Sequence, residues 1–141
     1  MSILKHNHVI RVRYAETDQM GIVWNGNYSV YFEIGRTELM REYGIQYREL
    51  EEEGYILPLA DLYSKFIKPA HYDDVLTIRT ELEWNNSAAL KFVYTILRED
   101  TVIAEGYTTH MFVKSDTRVP VKPPKIFKDS IKTVIEGKAT E

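Results

Sequence analysis

Apolar and polar positions first alternate clearly at Ile10-Arg11-Val12-Arg13-Tyr14, which puts Ile10, Val12 and Tyr14 on one face and predicts a strand. The pattern breaks from Ala15 to Gly26, with Gly21 and Gly26 as punctuation. From Asn27 the period lengthens. Tyr28, Phe32, Gly35, Leu39 and Tyr43 step at helical spacing, and Glu33, Arg36, Thr37, Glu38 and Arg41 fill the other side. With Asn27 as N-cap and Gly44 as C-cap, the helix runs for about 17 residues. Gly35 interrupts its apolar stripe at a cost of about 0.5–1 kcal/mol relative to alanine, an expense offset where the helix backbone lies close on a sheet. A shorter helical segment, Gln46 to Glu53, ends at Gly54.

The remainder reads mostly as β-structure. Leu57 to Lys68 forms a strand ended by Pro69, and Val75 to Trp84 alternates with Leu76, Ile78, Leu82 and Trp84 on one face. Asn85-Asn86-Ser87 is a turn, after which Leu90, Phe92, Tyr94 and Ile96 alternate. Glu99-Asp100 turns again into a last long strand, Thr101 to Val113, where Gly106 marks a bulge or a close backbone approach. Val119 to Pro124 is held extended by its prolines, and Ile126 to Glu136 fits a short terminal helix. Strand, long helix, then four strands predict an α+β layer structure, with the helix lying across the concave face of one curved antiparallel sheet.

Composition narrows the class. The chain has 141 residues, 44% hydrophobic and 28% charged, which suits a single domain over 1–141. It contains no cysteine, which excludes a disulfide framework, a thiol nucleophile and a Cys-based metal site. A net charge of −3 lacks the basic excess of a general nucleic-acid binder. The opening MSILKHNHVIRVRYAE has no signal-like apolar run and no segment reads as membrane-spanning, so a cytoplasmic protein acting on something small is expected. His6-x-His8 has no third ligand in view, so no metal is expected.

The densest candidate for chemistry is the segment from Tyr14 to Tyr28, which joins a strand to a helix start. Free backbone N–H groups at such a junction suit an oxyanion or phosphate, and an acid in the same loop could act on a carbonyl held there. Asp18 in a turn also fits a plain turn-former that bonds nearby backbone.

The run Arg13-Tyr14-x-Glu16-Thr17-Asp18-x-Met20-Gly21-x-Val23-Trp24-x-Gly26-Asn27-Tyr28-x-x-Tyr31-Phe32-Glu33-x-x-Arg36-Thr37-Glu38 resembles the signature of the 4-hydroxybenzoyl-CoA thioesterase family of hotdog-fold proteins. A second block, Lys68-Pro69-Ala70-x-Tyr72-Asp73-Asp74-Val75-Leu76-Thr77-Ile78, resembles the family's strand-turn-strand after the helix. The similarity runs from about His8 to Pro120. It implies a hotdog fold, one long helix wrapped by a curved antiparallel sheet, and hydrolysis of a small acyl-CoA without cofactor or metal. Asp18 matches the catalytic aspartate, as nucleophile or general base, and the backbone N–H of Asn25 matches the oxyanion donor. Trp24 matches an aromatic bordering the acyl pocket, Gly21 the glycine that turns the loop, and Tyr28 belongs with them as a substrate-binding candidate. Many family members carry His or Tyr where Asn25 stands, a departure that spares a role belonging to the backbone.

The family also implies a homodimer with sites at the subunit boundary, often paired again into a homotetramer. Lys65, Lys68, Arg79, Lys91, Arg98, Lys114, Arg118 and Lys122 are candidate contacts for the CoA phosphates. Glu33 reads as a polar-face residue able to reach a neighbouring subunit, and His110 as a packed or hydrogen-bonded histidine rather than a base. Two rival functions share the motif: hydrolysis of an acyl-carrier-protein thioester, and non-catalytic acyl-CoA binding.

Overall fold

A computed structural model describes residues 2–140, with side chains described over 4–133. Strand β1 (Ser2–Arg11) leads into a single 3₁₀ turn, Tyr14–Glu16, and then the long helix α1 (Asn27–Glu42). Helix α2 (Tyr47–Glu52) follows, then β2 (Tyr55–Ile56), β3 (Leu59–Phe66), β4 (Val75–Glu83), β5 (Ala89–Arg98), β6 (Thr101–Met111), β7 (Val113–Lys114) and α3 (Lys125–Thr140). Five strands form one antiparallel sheet in the order β1-β4-β5-β6-β3, and β2 pairs with β7. Helix α1 packs against β1 and β4 and reaches β3 and β5. This is the expected α+β hotdog architecture.

The stripe read from the helix is the buried one. Tyr28, Phe32, Gly35 and Leu39 are buried, joined by Tyr31 and Met40. Phe32 stacks on Tyr94 of β5 with ring centroids 4.3 Å apart. Both interior glycines mark close approaches. A Cβ on Gly35 would fall 2.7 Å from Cγ2 of Ile78 and collide with Oγ1 of Thr80, while one on Gly106 would strike the Tyr63 carbonyl and sit 2.9 Å from the Phe32 ring. The irregularity in the β5–β6 pairing lies elsewhere, between Ile96 and Leu97.

Several element boundaries differ from expectation: the last long strand ends at Met111, with Val113 pairing with Ile56 in the second sheet, and the terminal helix runs over Lys125–Thr140. β1 begins at Ser2 and ends at Arg11, because pairing with β4 runs from Ser2 opposite Glu83 to Arg11 opposite Val75. Its inward positions include half-buried His6 and His8, polar residues that conceal the alternation in the sequence. Tyr14 leaves the strand face and is 77% exposed, since Glu16 and Thr17 donate their N–H groups to the carbonyls of Arg13 and Tyr14 and curl the chain. The strand expected over Leu57 to Lys68 divides around Pro58, with β2 joining β7 and β3 joining β6. Proline has no N–H to give a ladder.

Candidate active site

The loop between β1 and α1 is a small hairpin clamped from both sides. Its incoming and returning arms meet at a Thr17–Val23 bridge, with Asp18 N–H donating to Ile22 O at 2.9 Å and Trp24 N–H to Glu16 O at 3.0 Å. The returning arm also joins the segment before β4, through the Ile22–His71 bridge and a 2.9 Å bond from Val23 N–H to Ala70 O. At the tip Gly21 holds φ of +79°, a left-handed conformation that suits glycine. Its N–H closes the turn onto Asp18 O at 3.0 Å.

Asp18 is half-buried at this tip. Its Oδ1 accepts the Met20 N–H at 2.9 Å, and among the described residues no donor is bonded to Oδ2. Asp18 thus forms an Asx-type turn with one oxygen and leaves the other available. Helix α1 starts at Asn27 with Gly26 as its N-cap residue, so the cap lies one residue before the expected Asn27. The Asn27 side chain instead donates Nδ2 to the Glu16 carbonyl at 2.7 Å. The N–H groups of Asn25 and Gly26 have no acceptor among the described residues. Gly26 caps the helix and Asn25 immediately precedes it, so both N–H groups lie at the positive end of the helix dipole.

A cleft of about 290 Å³ opens beside this helix start, walled by Ile22, Val23, Asn25, Tyr28 and the run Phe66 to Pro69. Of the catalytic and substrate-binding residues singled out from sequence, Asn25 and Tyr28 stand in its wall. Tyr28 is buried with its ring 5.2 Å from Phe66, and burial raises its hydroxyl pKa against a smaller opposing effect of Arg98. Asp18 and Gly21 lie on the loop tip outside that wall. Trp24 is 57% exposed and lies over Gly26, where any Cβ would run into the indole.

Among the eight basic candidates, Lys68 stands in the cleft wall. Arg98 is committed elsewhere, donating to Pro69 O at 3.1 Å and to Oδ2 of Asp74 at 3.0 Å. Burial alone would raise the Asp74 pKa, but the His71 N–H and the Arg98 guanidinium hold it below its ordinary value. This brace fixes the segment against which the loop's returning arm pairs. Lys91 lies over the Tyr107 ring at 4.7 Å.

The family model of the thioesterase-like superfamily matches residues 12–131. The chain belongs to that superfamily. It is 35% identical over 121 residues to YneP of Bacillus subtilis (strain 168), provisionally named an acyl-CoA thioesterase, covering 85% of this chain and 88% of that one. The DHNA-CoA thioesterase structure from Staphylococcus aureus superposes with a TM-score of 0.86 at 28% identity, over 96% of this chain and 91% of that one. A 4-hydroxybenzoyl CoA thioesterase, in complex with 4-hydroxybenzoyl CoA, shares the fold at a TM-score of 0.81 and 19% identity, over 90% of this chain and 98% of that one. The protein is a thioester hydrolase with the hotdog fold. Among the described residues no helix is long and apolar enough to cross a membrane.

Two polar clusters of this thioesterase go beyond the reading from sequence, which singled out only His110 of the second. Glu16, within the motif but given no role there, is buried beneath the loop, and its Oε1 accepts the Tyr31 hydroxyl at 3.0 Å and the Arg13 N–H at 2.9 Å. The second cluster lies under the middle of α1. Tyr94 OH and Thr108 Oγ1 are 2.6 Å apart, and His110 bonds Thr108 through Nε2 at 3.0 Å and Leu57 O through Nδ1 at 3.2 Å. His110 is buried and hydrogen-bonded, as expected of it. Burial and the nearby Arg36 cation lower its pKa to about 4.

Proposed function

We propose that the protein hydrolyses an acyl-CoA to the free acid and CoA, with Asp18 as the reacting carboxylate and the N–H of Asn25 as oxyanion donor. The observation that carries this reading is the loop itself. It presents a carboxylate with one unengaged oxygen and a helix start with unbonded N–H groups on the two arms of one hydrogen-bonded hairpin. A thioester carbonyl placed at the cleft would direct its oxygen to those N–H groups. Asp18 would add to the carbonyl carbon, expelling CoA thiolate and leaving a mixed anhydride that water then hydrolyses, or it would take the proton of a water that adds directly and expels CoA thiolate. One oxyanion donor contributes about 2.7–4 kcal/mol to such a transition state. Gly21 shapes the loop, Tyr28 walls the acyl side, Trp24 covers the helix start, and Lys68 meets the CoA phosphates.

A second copy of the chain completes the site in this reading. β3 is one edge of the sheet, opposite β1, with Leu59, Leu62, Tyr63 and Phe66 all exposed. Apolar sheet edges favour pairing. Two β3 strands paired antiparallel would set the Leu59 end of one protomer beside the Phe66 end of its partner, closing the cleft. Scattering in solution should give a mass of two or four chains.

The test is hydrolysis of a panel of acyl-CoA and acyl-carrier-protein thioesters by wild type and Asp18→Asn. Turnover on acyl-CoA that collapses in Asp18→Asn supports the reading. Equal turnover by both forms removes Asp18 from the mechanism. A preference for carrier-protein thioesters moves the substrate class, and tight acyl-CoA binding without hydrolysis of any thioester marks a binding module. After a single turnover in ¹⁸O-water, label in the Asp18 carboxylate identifies the anhydride route, because water attacking the Asp18 Cγ leaves its oxygen there.

A further inference from the structure

We infer that Glu16 is a positioning residue that holds the Asp18 arm of the loop in register with the start of α1; this rests on the roles proposed above for Asp18 and Asn25. Glu16 gathers five donors from three segments. Its Oε1 takes the Arg13 N–H and the Tyr31 hydroxyl, and its Oε2 takes the Arg13 Nε–H at 3.3 Å. Its carbonyl takes the Trp24 N–H at 3.0 Å and the Asn27 side chain at 2.7 Å. The side chain therefore fastens the end of β1 to α1, while the main chain fastens the returning arm and the first residue of the helix. Asp18 follows two residues later on the arm so fixed.

A purely structural role explains this arrangement poorly. Glu16 is only 8% exposed, and taking a carboxylate out of water is costly before its partners compensate. Apolar replacements of buried ionic groups are often neutral or stabilising, so such a group is weak evidence for stability as such. A carboxylate with directional donors on two elements supplies angular definition that an apolar side chain lacks. Around a reacting group, a displacement of about 1 Å costs as much as 10²-fold in rate.

The experiment is a double-mutant cycle on the full-length protein, read as kcat, KM and thermal melting. Glu16→Gln keeps the shape and replaces one acceptor oxygen with a donor that faces Arg13 or Tyr31. Tyr31→Phe removes only the carboxylate's tie to α1, leaving the Asn27 bond to the Glu16 carbonyl in place, and remains informative if the glutamine variant folds poorly. Both should lower kcat, by about 10–100-fold for Glu16→Gln, with KM and melting temperature near wild type. In an Asp18→Asn background the same Glu16→Gln change should cost little more, because it acts through Asp18. An equal further loss in that background overturns the inference, as does a loss that follows melting temperature. Wild-type kcat in Glu16→Gln and Tyr31→Phe beside an inactive Asp18→Asn overturns it alone. Undiminished turnover in Asp18→Asn overturns the proposed chemistry, and the inference with it.

Discussion

The two buried polar clusters along α1 use the same kind of contact for opposite ends. Near the helix start, Tyr31 reaches Glu16 and ties a loop rich in exposed side chains, among them Tyr14, Met20 and Trp24, to the core. Beneath the middle of the helix, Tyr94 reaches Thr108 and His110, all three almost fully buried among Phe32, Phe92 and the sheet. The first cluster borders the water where thioester chemistry would occur, and its hydrogen bonds hold a loop in place. The second is sealed, and burial holds its histidine below the ordinary pKa. The contrast teaches where free energy is spent. Changes at the helix start should alter rate and leave stability, and changes at the seam should alter stability and leave chemistry.

The largest expected effect is at the loop. Asp18→Asn preserves the acceptor for the Met20 N–H and should lower kcat/KM by about 10²–10⁴-fold with an unchanged urea midpoint. A fall in stability there would break the contrast at once. At the seam, the folded His110 pKa of about 4 lies below the unfolded value of about 6.5. The unfolded state therefore binds the proton more readily, so this contribution is complete above about pH 6.5 and is lost as pH falls toward 4. Urea unfolding should show wild type losing about 2–3 kcal/mol more than His110→Gln between pH 7 and pH 4. Gly106→Ala, which drives a methyl into the Tyr63 carbonyl and the Phe32 ring, should cost about 1–3 kcal/mol of unfolding free energy at undiminished kcat. The smallest effect sharpens the loop side. Lys68→Ala at the cleft wall should raise the KM for acyl-CoA by up to about fivefold, less at high salt, with kcat and stability as in wild type.

Legibility followed the range of the interactions. The stripe of α1, the strand alternation in β4 to β6 and the turns at Asn86 and Glu99 are local patterns, and each appears where the residues placed it. The loop from Asp18 to Asn25 was legible as a motif, because its residue types stand in one register within one segment. Glu16 stood in the same motif without a role. Its partner Tyr31 is fifteen positions away, and only the angle of α1 brings the hydroxyl to the carboxylate. The extent of β1 was hidden because inward His6 and His8 gain their place from pairing with β4.

Sequence alone determined the α+β order, the long helix with its buried face, the absence of any thiol chemistry, and the segment where a carboxylate precedes a helix start. These follow from periodicity, composition and turn chemistry, which act over a few residues. Tertiary structure decided which acid lies buried and which keeps an open oxygen, which lysine stands at the cleft, and that His110 sits neutral in a sealed seam. Those outcomes depend on burial and on donors from distant segments, and both exist only once helix and sheet have closed on one another.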